Sequence, residues 1–403
     1  MVMDNLAHVR PDHVPAELVV DADIYNLPGG EVDPQCAWRA LQGPGPLSWS
    51  PRNGGHWTAN TPEAVFRFLR DFENLSALQL SIPPVDMGDA LIPNQSDPPA
   101  HGDYRRNVMA FFTSDAVDAM APDVRELCIE LIEELRPQGQ CEFVMDFAFR
   151  FPLGIFLRMM GLPDADRMYL RRLSEAFTDS AEVEKKTAAA LELEAYIDRA
   201  IEERIAHPRD DAITAITRFR INGRPYTRSE MRGNVRQHMA AGLDTVAGML
   251  AFIVLHLARH PAQADHVRSC LGDEVAMHQI VQEFLRRFTI VNPSRRVSRD
   301  FTHENITLKK GDMIIMPITF FNLDENRESP EEVDFARANK RHVSFGSGPH
   351  ACAGALLARE EIRIFLEEWL TRMPQVRLDP DHPPRLQALP LNQVRELRLQ
   401  WDV

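Results

Sequence analysis

The sequence predicts a mainly α fold with small β-sheets, in one domain spanning residues 1–403. Apolar residues recur at helical spacing through most of 62–260, and one such segment is long enough to cross a whole domain. Short alternating segments with tight turns are confined to the first 60 residues and to the region after 290.

Residues 1–60, rich in Pro and Gly (28–30 and 43–46), read as loops and short strands at the periphery. Helical spacing then marks 62–73, 100–136, 143–161, 164–178, 183–206 and 210–219. Between the first two lies LSIPPVDMGDALIPNQSDPPAHGD, long and proline-punctuated for a connection, as loops that cover a binding site often are. Thr227 and Glu230 have capping-box spacing and open a helix that runs to His260, before Pro261, a span of about 45–50 Å at 1.5 Å per residue. A helix over 273–287 follows, then two small hairpins with turns at Glu304-Asn305 and at Lys310-Gly311-Asp312. A polar meander over 322–344, a glycine-rich turn, a helix over 353–372 and short strands complete the chain. No repeat or linker divides it.

A net charge of −14 argues against nucleic acid as a partner. No apolar run approaches the roughly 20 residues that cross a bilayer, and the first 20 residues do not form a signal peptide. The expectation is a soluble cytoplasmic monomer. The five cysteines are scattered and never form CxxC, which excludes a disulfide framework and a zinc ribbon.

Cys352 stands apart. The segment FGSGPHACAG (345–354) sets it between glycine turns and the start of an apolar-periodic helix, where unpaired N–H groups favour a thiolate and lower its pKa. Gly348 and Gly354 allow backbone to approach a large flat ligand. A dinucleotide fingerprint at Gly346-x-Gly348 fails on context, because no buried strand precedes it and no βαβ unit follows. A zinc site at His350 and Cys352 lacks two further ligands.

FGSGPHACAG resembles the haem-binding signature of the cytochrome P-450 superfamily, matching at Phe345, Gly346, Gly348, His350, Cys352 and Gly354. The resemblance implies haem b with Cys352 as axial thiolate, which donates electron density to iron and favours O–O cleavage. Glu283-x-x-Arg286 resembles the family's ExxR motif, with Arg337 as its meander partner, a structural brace behind the cysteine loop. Ala241-Gly242-Leu243-Asp244-Thr245 resembles the oxygen-activation motif of the central helix. It implies Thr245 and Asp244 as the groups that hold oxygen with its water and relay protons. Thr245 can bond back to the Ala241 carbonyl, opening a groove. At family positions His101, Arg105, Arg295 and His350 would meet the haem propionates.

LRPQGQC, NGRP, GLDT, FLRRF, LKKGD, HVSFG and EEWLTRMP are similar to segments of the camphor hydroxylase branch and its terpenoid-oxidising relatives, from about residue 60 to the end. That branch takes electrons from a [2Fe-2S] ferredoxin reduced by a flavin reductase. Arg105, Arg106, Lys340 and Arg341 are the candidate basic docking patch. The loop 82–92 lacks the tyrosine that holds camphor, which shifts the expectation to an ionone-like norisoprenoid or another terpenoid. Asp89, Gln237, Ala240 and Val291 are candidate substrate contacts. A non-catalytic haem sensor is the rival, and it would have no use for Asp244 and Thr245.

Overall fold

The computed structural model describes residues 8–43, 45–85, 88–178 and 183–403. Its first half alternates short edge structure with long helices: α1 (Pro34–Arg39), strands β1 (Leu47–Ser50) and β2 (His56–Ala59), α2 (Pro62–Phe68) and β3 (Leu75–Ser76). Helices α3 (Ala100–Met109) and α4 (Ser114–Leu135) lead to β4 (Gln140–Glu142) and α5 (Arg150–Met160). Then come α6 (Arg167–Thr178), α7 (Val183–Ala206) and α8 (Ala212–Arg218). The hairpin β5–β6 (Arg220–Ile221, Arg224–Pro225) opens onto α9 (Arg228–Arg259), followed by α10 (Pro261–Ser269) and α11 (Glu274–Arg287).

The second half holds β7 (Ser294–Val297), β8 (Phe301–His303), β9 (Ile306–Leu308), β10 (Met313–Ile315), α12 (Ile318–Asn322) and α13 (Ala355–Arg372). Four strands end the chain: β11 (Arg377–Leu378), β12 (Arg385–Gln387), β13 (Gln393–Glu396) and β14 (Arg398–Gln400). The main sheet has the order β1-β2-β10-β7-β3.

Helix α9 is the axis. Its capping box is formed as its sequence requires: Thr227 Oγ1 accepts from Glu230 N at 3.2 Å, and Glu230 Oε2 accepts from Thr227 N at 2.6 Å. By length and composition α9 could cross a membrane, which corrects the expectation that no run comes near; most of it is packed inside the protein as a core helix. Val246 to Leu255 of α9 join Phe143, Phe147, Phe284, Phe365 and Trp369 in the largest apolar cluster.

Several boundaries differ from expectation, each for a local reason. The 100–136 segment is two helices, because Thr113 caps a new one by accepting from Ala116 N at 3.2 Å. The 143–161 segment starts with a π turn over Val144–Ala148 before α5. Helix α10, unforeseen, restarts at Pro261, where a proline suits the first turn. The described part of residues 1–60 is not peripheral: Trp38 and Trp57 are fully buried, and β2 lies inside the main sheet. The turn at Glu304-Asn305 closes the β8–β9 hairpin, whereas Lys310-Gly311-Asp312 sends the chain into β10, which pairs with β7 and β2 instead.

Candidate active site

The loop before α13 is wound by its own backbone. Gly346 N donates to Val343 O at 2.7 Å, Ala351 N to Gly348 O at 3.1 Å, and Cys352 N to Phe345 O at 2.7 Å. Gly348 has φ +75°, and a Cβ there would meet the Arg70 backbone at 2.9 Å, so only glycine fits. Asn322, fully buried, anchors the loop from behind: its Oδ1 accepts from Val343 N at 2.9 Å, and its Nδ2 donates to Ser344 Oγ at 2.8 Å and Thr289 Oγ1 at 3.1 Å. Sequence reasoning missed Asn322, the last residue of α12, which carries no motif.

The Cys352 thiol does not follow the expected shift. Its surface is exposed, but dense protein surrounds it at longer range, and that burial pushes the thiol up. The Gly354 N–H and the charges of Arg105 and Arg359 pull the other way, as expected of the start of a helix, and are outweighed. Arg359 was also missed. It lies 4.4 Å over the Phe345 ring and is held by the Ala355 carbonyl at 3.1 Å, so its charge is fixed against the loop.

Four cationic or basic groups gather beside this loop. The rings of His101 and His350 are 4.1 Å apart, and both histidines feel the charges of Arg105 and Arg295. Burial and these neighbours lower His101 and bring His350 to about 3. Arg295 is 8% exposed, it donates to the Ser294 carbonyl at 2.8 Å and to no carboxylate among the described residues, and burial brings it down to about 10. Asp97 is the carboxylate nearest in charge, but its oxygens accept from Ser76 Oγ at 2.5 Å and Ala77 N at 2.8 Å. A buried cation set of this kind needs an anionic partner, which the two carboxylates of haem would provide beside a cysteine.

Glu283 and Arg286 are fully buried and doubly bonded, Nη2 to Oε1 at 2.8 Å and Nε to Oε2 at 2.9 Å. Arg337 Nε adds a bond to Glu283 Oε1 at 3.2 Å, and Arg286 also donates to the carbonyls of Asn322, Pro330 and Glu332. The meander is thereby tied to α11, and Asn322 passes the tie on to the cysteine loop.

On α9, Thr245 Oγ1 donates to the Ala241 carbonyl at 2.8 Å. A Cβ on Gly242 would meet nothing within 4 Å, so the helix is open beside that turn. Asp244 is half-buried, Ala240 exposed, and Gln237 half-buried with its Oε1 enclosed and without a partner. Gln237, Ala241 and Asp244, spaced by four and three, share one face of the helix. Val291 bridges Leu391. Asp89 is corrected: its carboxylate accepts from Ser229 Oγ at 2.6 Å and Arg232 Nε at 2.7 Å, so it fastens the cover loop to α9 and is not free for a substrate. Gly233 permits that contact, since a Cβ there would lie 2.0 Å from the Ala90 carbonyl.

The basic patch also changes. Arg105 is half-buried and faces Cys352 in charge, and Arg106 pairs with Asp103 at 2.8 Å. Lys340 is held by the Arg337 carbonyl, and Arg341 lies over the rings of Phe66 and Phe321.

A mainly helical fold with a cysteine at a glycine-wound loop, backed by a buried ExxR brace, defines a haem-thiolate protein. Residues 172–389 match the family model of cytochrome P450. Probable cytochrome P450 127A1 of Sinorhizobium fredii is 32% identical across 93% of this chain and 92% of its own. The 20-oxo-5-O-mycaminosyltylactone 23-monooxygenase of Streptomyces fradiae is 30% identical across 71% of this chain and 68% of its own. Cytochrome P450 CYP101C1 superposes with a TM-score of 0.89 at 38% identity, covering 98% of this chain and 100% of its own. CYP101J2 superposes with a TM-score of 0.88 at 35% identity, covering 98% and 99%. The chain belongs to the cytochrome P450 family and is a haem-thiolate monooxygenase.

Proposed function

We propose that this monooxygenase hydroxylates a small hydrophobic terpenoid or norisoprenoid of ionone type, with electrons from a [2Fe-2S] ferredoxin and its flavin reductase. The observation that carries the substrate reading is Gln237: an enclosed amide oxygen without a partner on the Asp244 face of α9 suits a ligand that is apolar with one polar handle. The likeness to the camphor hydroxylase branch supports the ferredoxin, and the missing loop tyrosine argues against camphor itself.

Bound haem supplies the activation of dioxygen and insertion of one oxygen atom into an unactivated C–H bond. Cys352 would hold the haem iron through its thiolate, and His101, Arg105, Arg295 and His350 would hold the propionates. Thr245 holds its proton toward Ala241 and presents its oxygen to the opened turn, where it orders water. Asp244, one residue earlier, delivers protons to that water. Gln237 and Ala240 orient the substrate, and the cover loop, fastened through Asp89, shuts out bulk solvent.

The ferrous carbon monoxide spectrum tests the ligand: the band of thiolate-ligated haem is expected, and its loss in Cys352→Ser. The spin-state shift of the haem is then scored with ionones, camphor, other monoterpenoids and fatty acids. A strong shift with camphor and none with any ionone sinks the substrate reading. Thr245→Ala is expected to keep consuming reductant while product falls, which a haem sensor would not do.

A further inference from the structure

A cleft of about 440 Å³ lies away from the cysteine loop, between the last turns of α9, the end of α11 and the start of α1. Its apolar wall is Phe252, Leu255, Phe288 and Leu386. Arg287, 7% exposed, lines it from α11. The Nε of this guanidinium donates to the Glu331 carbonyl and Nη2 pairs with Asp33, whereas Nη1 is buried and has no partner. A buried cationic donor left unpaired is costly, so an acceptor belongs there.

The rim repeats the signal. Arg259 at the end of α9 is exposed and has no carboxylate partner among the described residues. His256 and His260 stack at 4.2 Å between centroids; the first is bound to Gln263 Oε1 at 2.6 Å and is brought to about 4 by burial, so it is neutral at pH 7. Of the wall's acids, Asp33 is engaged by Arg287 and Glu331 by Arg39, while Glu332 lies at the edge.

We propose that this cleft is a second binding site, for an apolar monocarboxylate carrying one ring. One carboxylate satisfies Arg287 Nη1 and reaches toward Arg259, and the ring lies on Phe252, Leu255 and Phe288. An alcohol leaves Arg259 unanswered, and a dianion would meet Glu332 and Asp33. Since α9 also carries Asp244 and Thr245, and Arg287 adjoins the brace residue Arg286, an occupant here touches the two elements that support the oxygen site.

The test uses the haem-loaded enzyme with its haem pocket filled by a tight azole inhibitor, titrated calorimetrically with benzoate and cyclohexanecarboxylate at constant ionic strength. Benzyl alcohol and cyclohexanemethanol are the controls. Saturable binding of the acids with no change in haem absorbance is expected, weakened about tenfold in Arg259→Ala and in Arg287→Lys. No heat, heat abolished by the azole, alcohols binding as well as acids, or unchanged affinity in the variants overturns the site. If Arg287→Lys does not fold, Arg259→Ala decides alone.

Discussion

The imidazole of His101 lies 4.1 Å from that of His350, and Arg105 and Arg295 act on both. Four groups that repel when charged are thus held at one place by the fold. With both histidines lowered toward the neutral form, the repulsion of Arg105 and Arg295 in the haem-free protein is the counterpart of their attraction for a dianionic ligand.

Arg295→Met should therefore move two quantities in opposite directions. Burial brings Arg295 down to about 10, so its charge destabilises the haem-free fold. Losing it should stabilise that state by about 1–2 kcal/mol, after allowance for the lost bond to Ser294. Haem should leave the variant faster. Denaturant midpoints without haem and the rate of haem transfer to an acceptor globin check both, and a variant that loses stability and keeps its haem refutes the assignment.

Glu283→Gln should be far more damaging than any surface change. The substitution removes the one carboxylate bonded to Arg286 among the described residues while both side chains are fully buried, and weakens the bond to Arg337. An uncompensated buried guanidinium costs about 3–5 kcal/mol. Low soluble yield and little haem absorbance are expected, with Thr245→Ala prepared alongside and retaining both. Normal yield and haem content in Glu283→Gln would show that the brace is dispensable.

The parts of the site that the sequence reveals are those where chemistry is local. Thr227 and Glu230 announce the start of α9 because a capping box closes within four residues, and Cys352 announces itself because its loop folds on its own carbonyls. Asn322 and Arg359 stayed hidden because their roles are set by partners brought near only by tertiary packing, or by a ring across the loop. Asp89 was misread for the same reason: nothing in its neighbourhood discloses Arg232, 143 residues away. The thiol shift of Cys352 was misjudged because helix-end N–H groups are visible in sequence, whereas the desolvation that outweighs them is not.

Acid should unfold the protein through its buried histidines. His56 is fully buried and, like His256, is brought to about 4 by burial. Both are neutral when folded at pH 7, and the unfolded chain takes up their protons below about 6.5. Protons bound preferentially by the unfolded chain make stability rise with pH. The contribution is complete above about 6.5 and declines as pH falls toward about 4. Denaturant midpoints between pH 7.5 and 4.5 should drop, less steeply in His56→Gln; equal slopes would assign the loss to other groups.

Gln237 provides the sharpest test of substrate polarity. Its Oε1 is enclosed and unpaired, on the face shared with Ala241 and Asp244, so as a bystander it would be a cost without return. Gln237→Leu removes that cost and should leave stability unchanged or slightly higher. If Gln237 holds the polar handle of the substrate, the same variant should bind an ionone about 5–13-fold more weakly, since a hydrogen bond in an enclosed site is worth about 1–1.5 kcal/mol. Binding of the corresponding hydrocarbon, which has no handle, should be unchanged or tighter. The haem spin-state shift gives both affinities in one titration series, and the ratio between them cancels any general change in the pocket. A ketone-to-hydrocarbon ratio that does not move would mean that Gln237 faces water, and regiochemistry would then have to come from shape alone, through Ala240 and Val291.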